Sequence, residues 1–265
     1  MYEVAYERPA TLAEAVQRIK DSGGRALAGG QSLVGAMKLR LAQPGTLVDL
    51  GGIAALRGIR REGDTLIIGA MTRHAEVADS DEVRRAIPAL ARLAGGIGDP
   101  MVRNMGTIGG SLANNDPAAC YPAGLLGLGG SVHTDRRVIA ADDFFLGMYE
   151  TALKEDELIT ALHFPMPQRA AYVKFEQPAS LFALVGVCVA QTAAGVRVAV
   201  TAAKPCVYRC VELEDALNAS FTAAAARAVK LSADDISSDL HGSSEYRAHL
   251  ISVLAARAVT QALGA

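Results

Sequence analysis

The sequence predicts an α+β protein built in two parts, and three observations carry that reading. Short strand-like runs alternate with helical segments through the first half, most of them stopped by a glycine pair. A proline pair, Pro165-Met166-Pro167, interrupts the chain directly after a strand-like run over 157–164. Beyond it, two β-rich runs joined by a short turn precede two helical patterns. At about 150 residues per domain a 265-residue chain holds roughly two. The prolines set the expected boundary: 1–168, subdivided at about 1–55 and 56–168, and then 169–265.

The elements follow in order. An extended Val4-Ala5-Tyr6 leads to Pro9 and to Thr11-Leu12-Ala13-Glu14, a Thr with Glu three residues on before an apolar-periodic segment, which predicts a capping box and a helix ending at Gly23-Gly24. A short strand over 25–28 runs into Gly29-Gly30-Gln31-Ser32, then a helical stretch over 33–41 and a strand over 46–50, stopped by Gly51-Gly52. Residues 57–61 and 65–69 read as paired strands, Thr72 as the cap of a helix through Val77, and 87–94 as a helix halted by Gly95-Gly96. The passage 97–116 reads as loop, 117–128 as helix, and 131–140 as strand. Past the prolines, 184–190 and 196–202 form a hairpin, and helices cover 223–231 and 245–263, the latter with Tyr246, Leu250, Val253, Leu254 and Ala258 on one face.

Composition excludes several classes of function. Hydrophobic residues are 51% and charged residues 20%, with a net charge of −2, so the chain is not disordered and has no electrostatic case for nucleic acid. The longest apolar run, 181–190, is too short to span a bilayer, and no basic-then-apolar leader opens the chain; the expectation is a cytoplasmic protein without a membrane span. Cys120, Cys188, Cys206 and Cys210 are too scattered for a disulfide framework, and Cys206 and Cys210 lack the second pair an iron–sulfur or zinc site needs. No metal site is expected. Neither a G-x-G-x-x-G fingerprint nor a P-loop is present.

Six Gly-Gly pairs punctuate the chain, and most read as turns and helix stops. Two differ because hydroxyl and amide side chains crowd beside them. Ala28-Gly29-Gly30-Gln31-Ser32 lies between a strand and a helical segment, where glycine lets peptide N–H groups approach an anion. Gly106-Thr107-Ile108-Gly109-Gly110-Ser111, continued by Asn114-Asn115-Asp116, adds two hydroxyls, two amides and a carboxylate. Together they suit one diphosphate gripped without lysine.

These residues also carry a resemblance. Ala28 to Ser32 leading into Met37-Lys38-Leu39-Arg40-Leu41 and Leu47-Val48-Asp49-Leu50, and Val102-Arg103-Asn104-Met105 into the second segment and Pro117, resemble the two FAD loops of the flavin-binding medium subunit of molybdenum hydroxylases, the family of carbon monoxide dehydrogenase and xanthine dehydrogenase. The tail from Asp239 to Arg247 is similar to that subunit's C-terminal part. The resemblance implies a two-part FAD-binding domain of the vanillyl-alcohol-oxidase/carbon monoxide dehydrogenase type, followed by a small C-terminal α+β domain of antiparallel sheet with helices. It further implies that Ala28, Gly29, Gly30, Gln31 and Ser32, extended through Leu33, Val34 and Gly35, and Thr107, Ile108, Gly109, Gly110 and Ser111 wrap the FAD diphosphate, mostly through peptide N–H groups. The family's adenosine-side carboxylate falls on Cys120, a thiol, which leaves Asp116 or Asn114 to take the ribose hydroxyls. Lys174 matches a position near the flavin ring, and Ile159 one whose backbone faces the cofactor.

By the same resemblance the chain is an FAD-dependent electron-transfer subunit without catalytic acid or base. It takes electrons from a small [2Fe-2S] subunit, which draws them from a large molybdopterin subunit, and passes them to NAD, a quinone or another acceptor. Two alternatives stand beside it: a stand-alone FAD oxidase or reductase of the same fold, and a non-enzymatic nucleotide-binding module. Read without the resemblance, Cys120 is a small buried residue, His241 a turn or helix-entry residue, Arg103 as readily a solvated loop residue as a diphosphate- or partner-facing cation, and Asp49 structural.

Overall fold

The structure is a computed structural model that describes residues 2–264. Its first layer is a three-stranded parallel sheet, β1 (Ala5–Glu7), β2 (Arg25–Leu27) and β3 (Thr46–Asp49), in the order β1-β3-β2, with α1 (Leu12–Ser22) and α2 (Leu33–Lys38) as connections. Thr11 caps α1 by accepting from the Glu14 N–H, whereas the Glu14 carboxylate reaches Ala10 N, one residue upstream of the expected reciprocal bond. Gly23, at φ +59°, ends the helix in the left-handed region. Ala15 and Ile19 of α1 pack with Val48, Leu50, Ile53 and Leu56 into a small core. Because the three strands run parallel, their carboxyl ends at Glu7, Leu27 and Asp49 share one edge.

The second sheet is antiparallel, in the order β4-β5-β10-β6-β7. The hairpin of β4 (Ile59–Glu62) and β5 (Thr65–Gly69) precedes a run of six helices: α3 (His74–Asp79), α4 (Asp81–Ala86), α5 (Pro88–Gly95), α6 (Pro100–Met105), α7 (Ile108–Asn114) and α8 (Cys120–Gly127). A second hairpin, β6 (Ser131–Thr134) and β7 (Val138–Ala140), replaces the single strand expected over 131–140. The short α9 (Ala141–Phe144), β8 (Phe145–Gly147) and β9 (Glu150–Thr151) lead back to β10 (Ile159–Pro165) in the middle of the sheet.

Two expectations are corrected here. Thr72 caps no helix: it is buried, its hydroxyl bonds the peptide of Gly58, and the cap position falls to Arg73, whose N–H donates to Glu76. The passage 97–116 is not a loop but carries α6 and α7. Asp99 accepts from Val102 N with Pro100 in the first turn, Thr107 accepts from Gly110 N, and Asn115 closes α7 at φ +44°. Caps at both starts and burial of Ile108, Gly109 and Leu112 outweigh the low helix propensity of the glycines.

The third sheet, antiparallel in the order β11-β12-β13-β14, consists of β11 (Arg169–Glu176), β12 (Ala183–Thr192), β13 (Gly195–Thr201) and β14 (Tyr208–Arg209). The expected hairpin is β12–β13, β11 carries the strand-like residues around Lys174, and α10 (Val211–Ala219) has no counterpart among the expected elements. After α11 (Ala223–Ala228), α12 (Ser244–Ala262) packs against β11 and β12. Its buried face is wider than the expected one and leaves out Tyr246. Tyr246 is 41% exposed, while Arg247, Ala248, Ile251, Ala255 and Val259 are buried with Leu250, Leu254 and Ala258. Alanines let the helix approach the sheet closely, so the inward face is wider than the large apolar residues mark. Helix α8, buried on every side, joins this sheet to the helical layer; a Cβ on Gly127 would lie 2.8 Å from Cys188 Sγ.

Candidate functional site

The first glycine segment leaves β2 at the carboxyl edge of the parallel sheet and enters α2. Gly30 has φ +74°, the left-handed region that favours glycine. A Cβ on Gly29 would strike the carbonyl oxygen of Met105 and lie 2.7 Å from Gly106 Cα, so the two glycine segments touch, backbone on backbone. Among the described residues, none of the peptide N–H groups of Gly29, Gly30, Gln31, Ser32 and Leu33 donates to a protein acceptor. Five successive amides on a partly exposed turn are free to meet an anion.

The second segment behaves differently. Ile108 N donates to Thr72 O, Gly109 N to Ala70 O at 2.9 Å, Gly110 N to Thr107 Oγ1 at 3.2 Å and Ser111 N to Thr107 O. These donors are used inside the protein, so the run of free peptide N–H groups lies in the first segment. The second supplies shape and hydroxyls. A Cβ on Gly109 would lie 2.6 Å from the Ala70 methyl, and one on Gly110 3.3 Å from that of Ala28.

The remaining expected residues divide into two groups. Leu33, Val34 and Gly35 continue the first segment along α2, the apolar pair half-buried and Gly35 exposed. Asn114 ends α7 half-buried, while the Asp116 carboxylate already accepts from Ala118 N at 2.8 Å and from the Tyr149 hydroxyl at 3.3 Å. Ile159 is buried at the irregular start of β10, one residue before Thr160, whose carbonyl accepts from Ala70 N; that contact joins it to the floor under Gly109.

Cys120 and Lys174 belong to a second neighbourhood, under β11. Cys120 is buried at the start of α8 near Tyr172 and Lys174; burial pushes its thiol pKa up, and the lysine partly offsets this. Lys174 Nζ donates to Gly96 O and to Leu181 O, both at 2.6 Å, and pairs with Glu176 at 3.3 Å. With its three protons so engaged, the ammonium ties β11 to the end of α5 and to the β11–β12 turn.

Sequence reasoning missed His74 and a group of arginines. His74 opens α3 directly beneath the second segment: its N–H donates to Gly106 O at 2.9 Å, and its ring fills the space a Cβ on Gly106 would need, 2.5 Å from Nε2. The ring packs against Tyr121 at 5.3 Å, its Nδ1 has no partner, and burial, then the charge of Arg103, lowers its pKa to about 4. A cleft of about 170 Å³ opens between the segments, lined by Arg8, Ala28, Gly29, Asp49, Gly51, Arg57, Met71, Arg73, Met105 and Thr107. The signal that finds it is topological: Arg8, Ala28 and Asp49 follow or end the three parallel strands, the edge where open sheets bind ligands.

Comparison with known proteins shows the family. Residues 2–167 match the family described as FAD binding domain in molybdopterin dehydrogenase. The chain is 36% identical over 274 residues to the nicotine 6-hydroxylase medium subunit of Paenarthrobacter nicotinovorans, covering 98% of this chain and 97% of that one. It is 36% identical over 277 residues to the carbon monoxide dehydrogenase medium chain of Hydrogenophaga pseudoflava, covering 97% and 96%. Its structure superposes on a solved carbon monoxide dehydrogenase from Hydrogenophaga pseudoflava, one lacking the Mo-pyranopterin moiety, with a TM-score of 0.90 and 34% identity over 99% of this chain and 98% of that one.

Proposed function

Because the chain belongs to the family of FAD-binding domains of molybdopterin dehydrogenases, we propose that it is the flavin-bearing electron-transfer subunit of a molybdenum hydroxylase. The observation that carries this reading is the row of free amides from Gly29 to Leu33, in a segment whose Gly29 meets the backbone of Met105 and Gly106 just before Thr107–Ser111. Such a row suits a diphosphate: the donors are fixed, uncharged and close together, and a side chain at Gly29 would close the approach. FAD, when bound, supplies the capacity to take electrons singly and release them in pairs. The protein's residues hold and orient it. Gly29 to Leu33 bind the diphosphate, Thr107 and Ser111 contribute hydroxyls, His74 fixes the second segment, and Lys174 fixes the strand and turn over Gly96.

The electrons come from outside this chain, whose cysteines do not form a cluster-binding set. The relatives named as medium subunits support an assembly with further subunits; the proposed donor is a small [2Fe-2S] subunit, with a large molybdopterin subunit beyond it and an external acceptor such as NAD or a quinone. We further propose that 1–168 forms the FAD-binding unit and 169–265 a unit that covers it. A tagged copy produced in its native cells tests the assignment: it co-purifies with two further polypeptides and with iron and molybdenum. A chain that elutes alone with FAD and turns over a small substrate unaided contradicts the subunit reading in favour of a stand-alone flavoenzyme.

A further inference from the structure

At one end of the third sheet, two chain segments that are distant in sequence form one exposed apolar surface. The β11–β12 hairpin end brings Phe175 and Phe182, and the approach to α12 brings Leu240 and Tyr246. Leu240 is 90% exposed and Phe182 49%, and Phe175 and Tyr246 are exposed as well. The rings of Phe175 and Tyr246 meet edge to face at 6.4 Å. Gln177 Nε2 lies 2.9 Å from His241 Nδ1, and the Gln177 N–H donates to Phe182 O, so the four residues share a surface. Apolar residues exposed singly need no explanation, whereas a contiguous group marks an interaction site.

The surface is held rigid from beneath. Leu181 sits at φ +60°, a conformation that side chains rarely adopt; its N–H donates to Gln177 O at 2.8 Å and its carbonyl accepts from Lys174 Nζ. In the other segment, Asp239 accepts from the His241 N–H at 2.8 Å and pairs with the buried Arg247. A surface fixed in this way loses little freedom when a partner docks. Its rim carries one sign of charge: residues 175–183 and 236–246 contain three carboxylates, Glu176, Asp239 and Glu245, and no lysine or arginine. Glu176 and Asp239 pair with the inward cations Lys174 and Arg247, whereas Glu245 has no ion-pair partner among the described residues. We propose that this surface docks a further subunit of the assembly proposed above, a protein chain that presents an apolar centre within a basic rim. The aromatic residues are the anchors, and the rim charges fix the register and speed the encounter. A phosphate-bearing ligand would meet carboxylates with no exposed cation beside them, so it does not fit here.

The inference rests on the subunit reading, and one experiment tests the two apart. The FAD-loaded full chain is titrated by interferometry against the remaining subunits, purified together from the native cells. Wild type is compared with Leu240→Asp, Phe182→Asp, Glu245→Lys and Val211→Asp, the last an exposed residue of α10 outside both segments. Leu240→Asp and Phe182→Asp are expected to weaken binding by about tenfold or more and Glu245→Lys by less, while Val211→Asp binds as wild type. Wild-type binding weakens as salt is raised, because the rim charges are screened. Flavin content and melting temperature, unchanged in every variant, show that the fold is intact. Unchanged binding by Leu240→Asp and Phe182→Asp overturns the proposal and leaves the subunit reading standing. Tighter binding by Glu245→Lys, or an equal loss in Val211→Asp, overturns it as well. Self-association of the isolated chain that Leu240→Asp abolishes assigns the surface to a second copy and likewise overturns it. A chain with no companion subunits sinks the subunit reading, and this inference with it.

Discussion

At His74 the chain buries an imidazole that is neutral at pH 7 and uses it as a wedge under Gly106. Its pKa is lowered in the folded state, so folding favours the uncharged ring; the associated stability is complete above the unfolded value of 6.5 and is lost as pH falls from there towards about 4. At 1.36 kcal/mol per unit the loss reaches about 3 kcal/mol. Urea unfolding at pH 7, 5.5 and 4 is expected to show that slope in wild type and a shallower one in His74→Gln; parallel slopes would contradict the role given to the ring. Gly29 poses a steric question. Gly29→Ala forces a methyl into the Met105–Gly106 backbone, costing about 1–3 kcal/mol and at least tenfold in FAD retention. Gly45→Ala, with nothing within 4 Å, leaves both unchanged. Thermal melts and flavin content on gel filtration read the pair. Gly29 and Thr107 were legible in the sequence as glycines and hydroxyls in company. His74 and Arg73 were not, because nothing local marks a side chain whose importance comes from the segment folded over it.

Among the elements, strands and capped helices were legible wherever period, cap and stop agreed, as in α1 and the β12–β13 hairpin. They were illegible where tertiary packing overrode propensity. Helix α7 contains Gly109 and Gly110, poor helix residues that the close approach of Ala70 and Ala28 requires, so the sequence reads as loop and folds as helix. On α12, the large apolar residues marked only part of the buried face, which also takes in Arg247 as an inward anchor. Its guanidinium donates to Leu184 O at 3.1 Å and Ala202 O at 2.8 Å and pairs with Asp239 at 2.6 Å, joining the helix to β12, to the residue after β13 and to its own approach. Arg247→Met leaves buried carbonyls unpaired and is expected to cost about 3 kcal/mol. Chemical denaturation checks this; a change below about 0.5 kcal/mol, the range of ordinary surface substitutions, would show that the anchor contributes little.

For the whole molecule, two sheets build the meeting line of the glycine segments, the parallel sheet bringing the free amides and the five-stranded sheet and its helices the second segment, while the third sheet is tied through Lys174 to the end of α5. The α+β class and both glycine segments could be read from the sequence; the division of labour between the segments could not, since it depends on which amides are already bonded to Thr72 and Ala70. The central claim is that these segments hold one FAD without a covalent bond. Acid precipitation of the purified chain, followed by flavin quantification in supernatant and pellet, tests it most directly. About one FAD per chain in the supernatant is the predicted result, while flavin retained in the pellet, or a colourless chain that cannot be reconstituted with FAD, would contradict it.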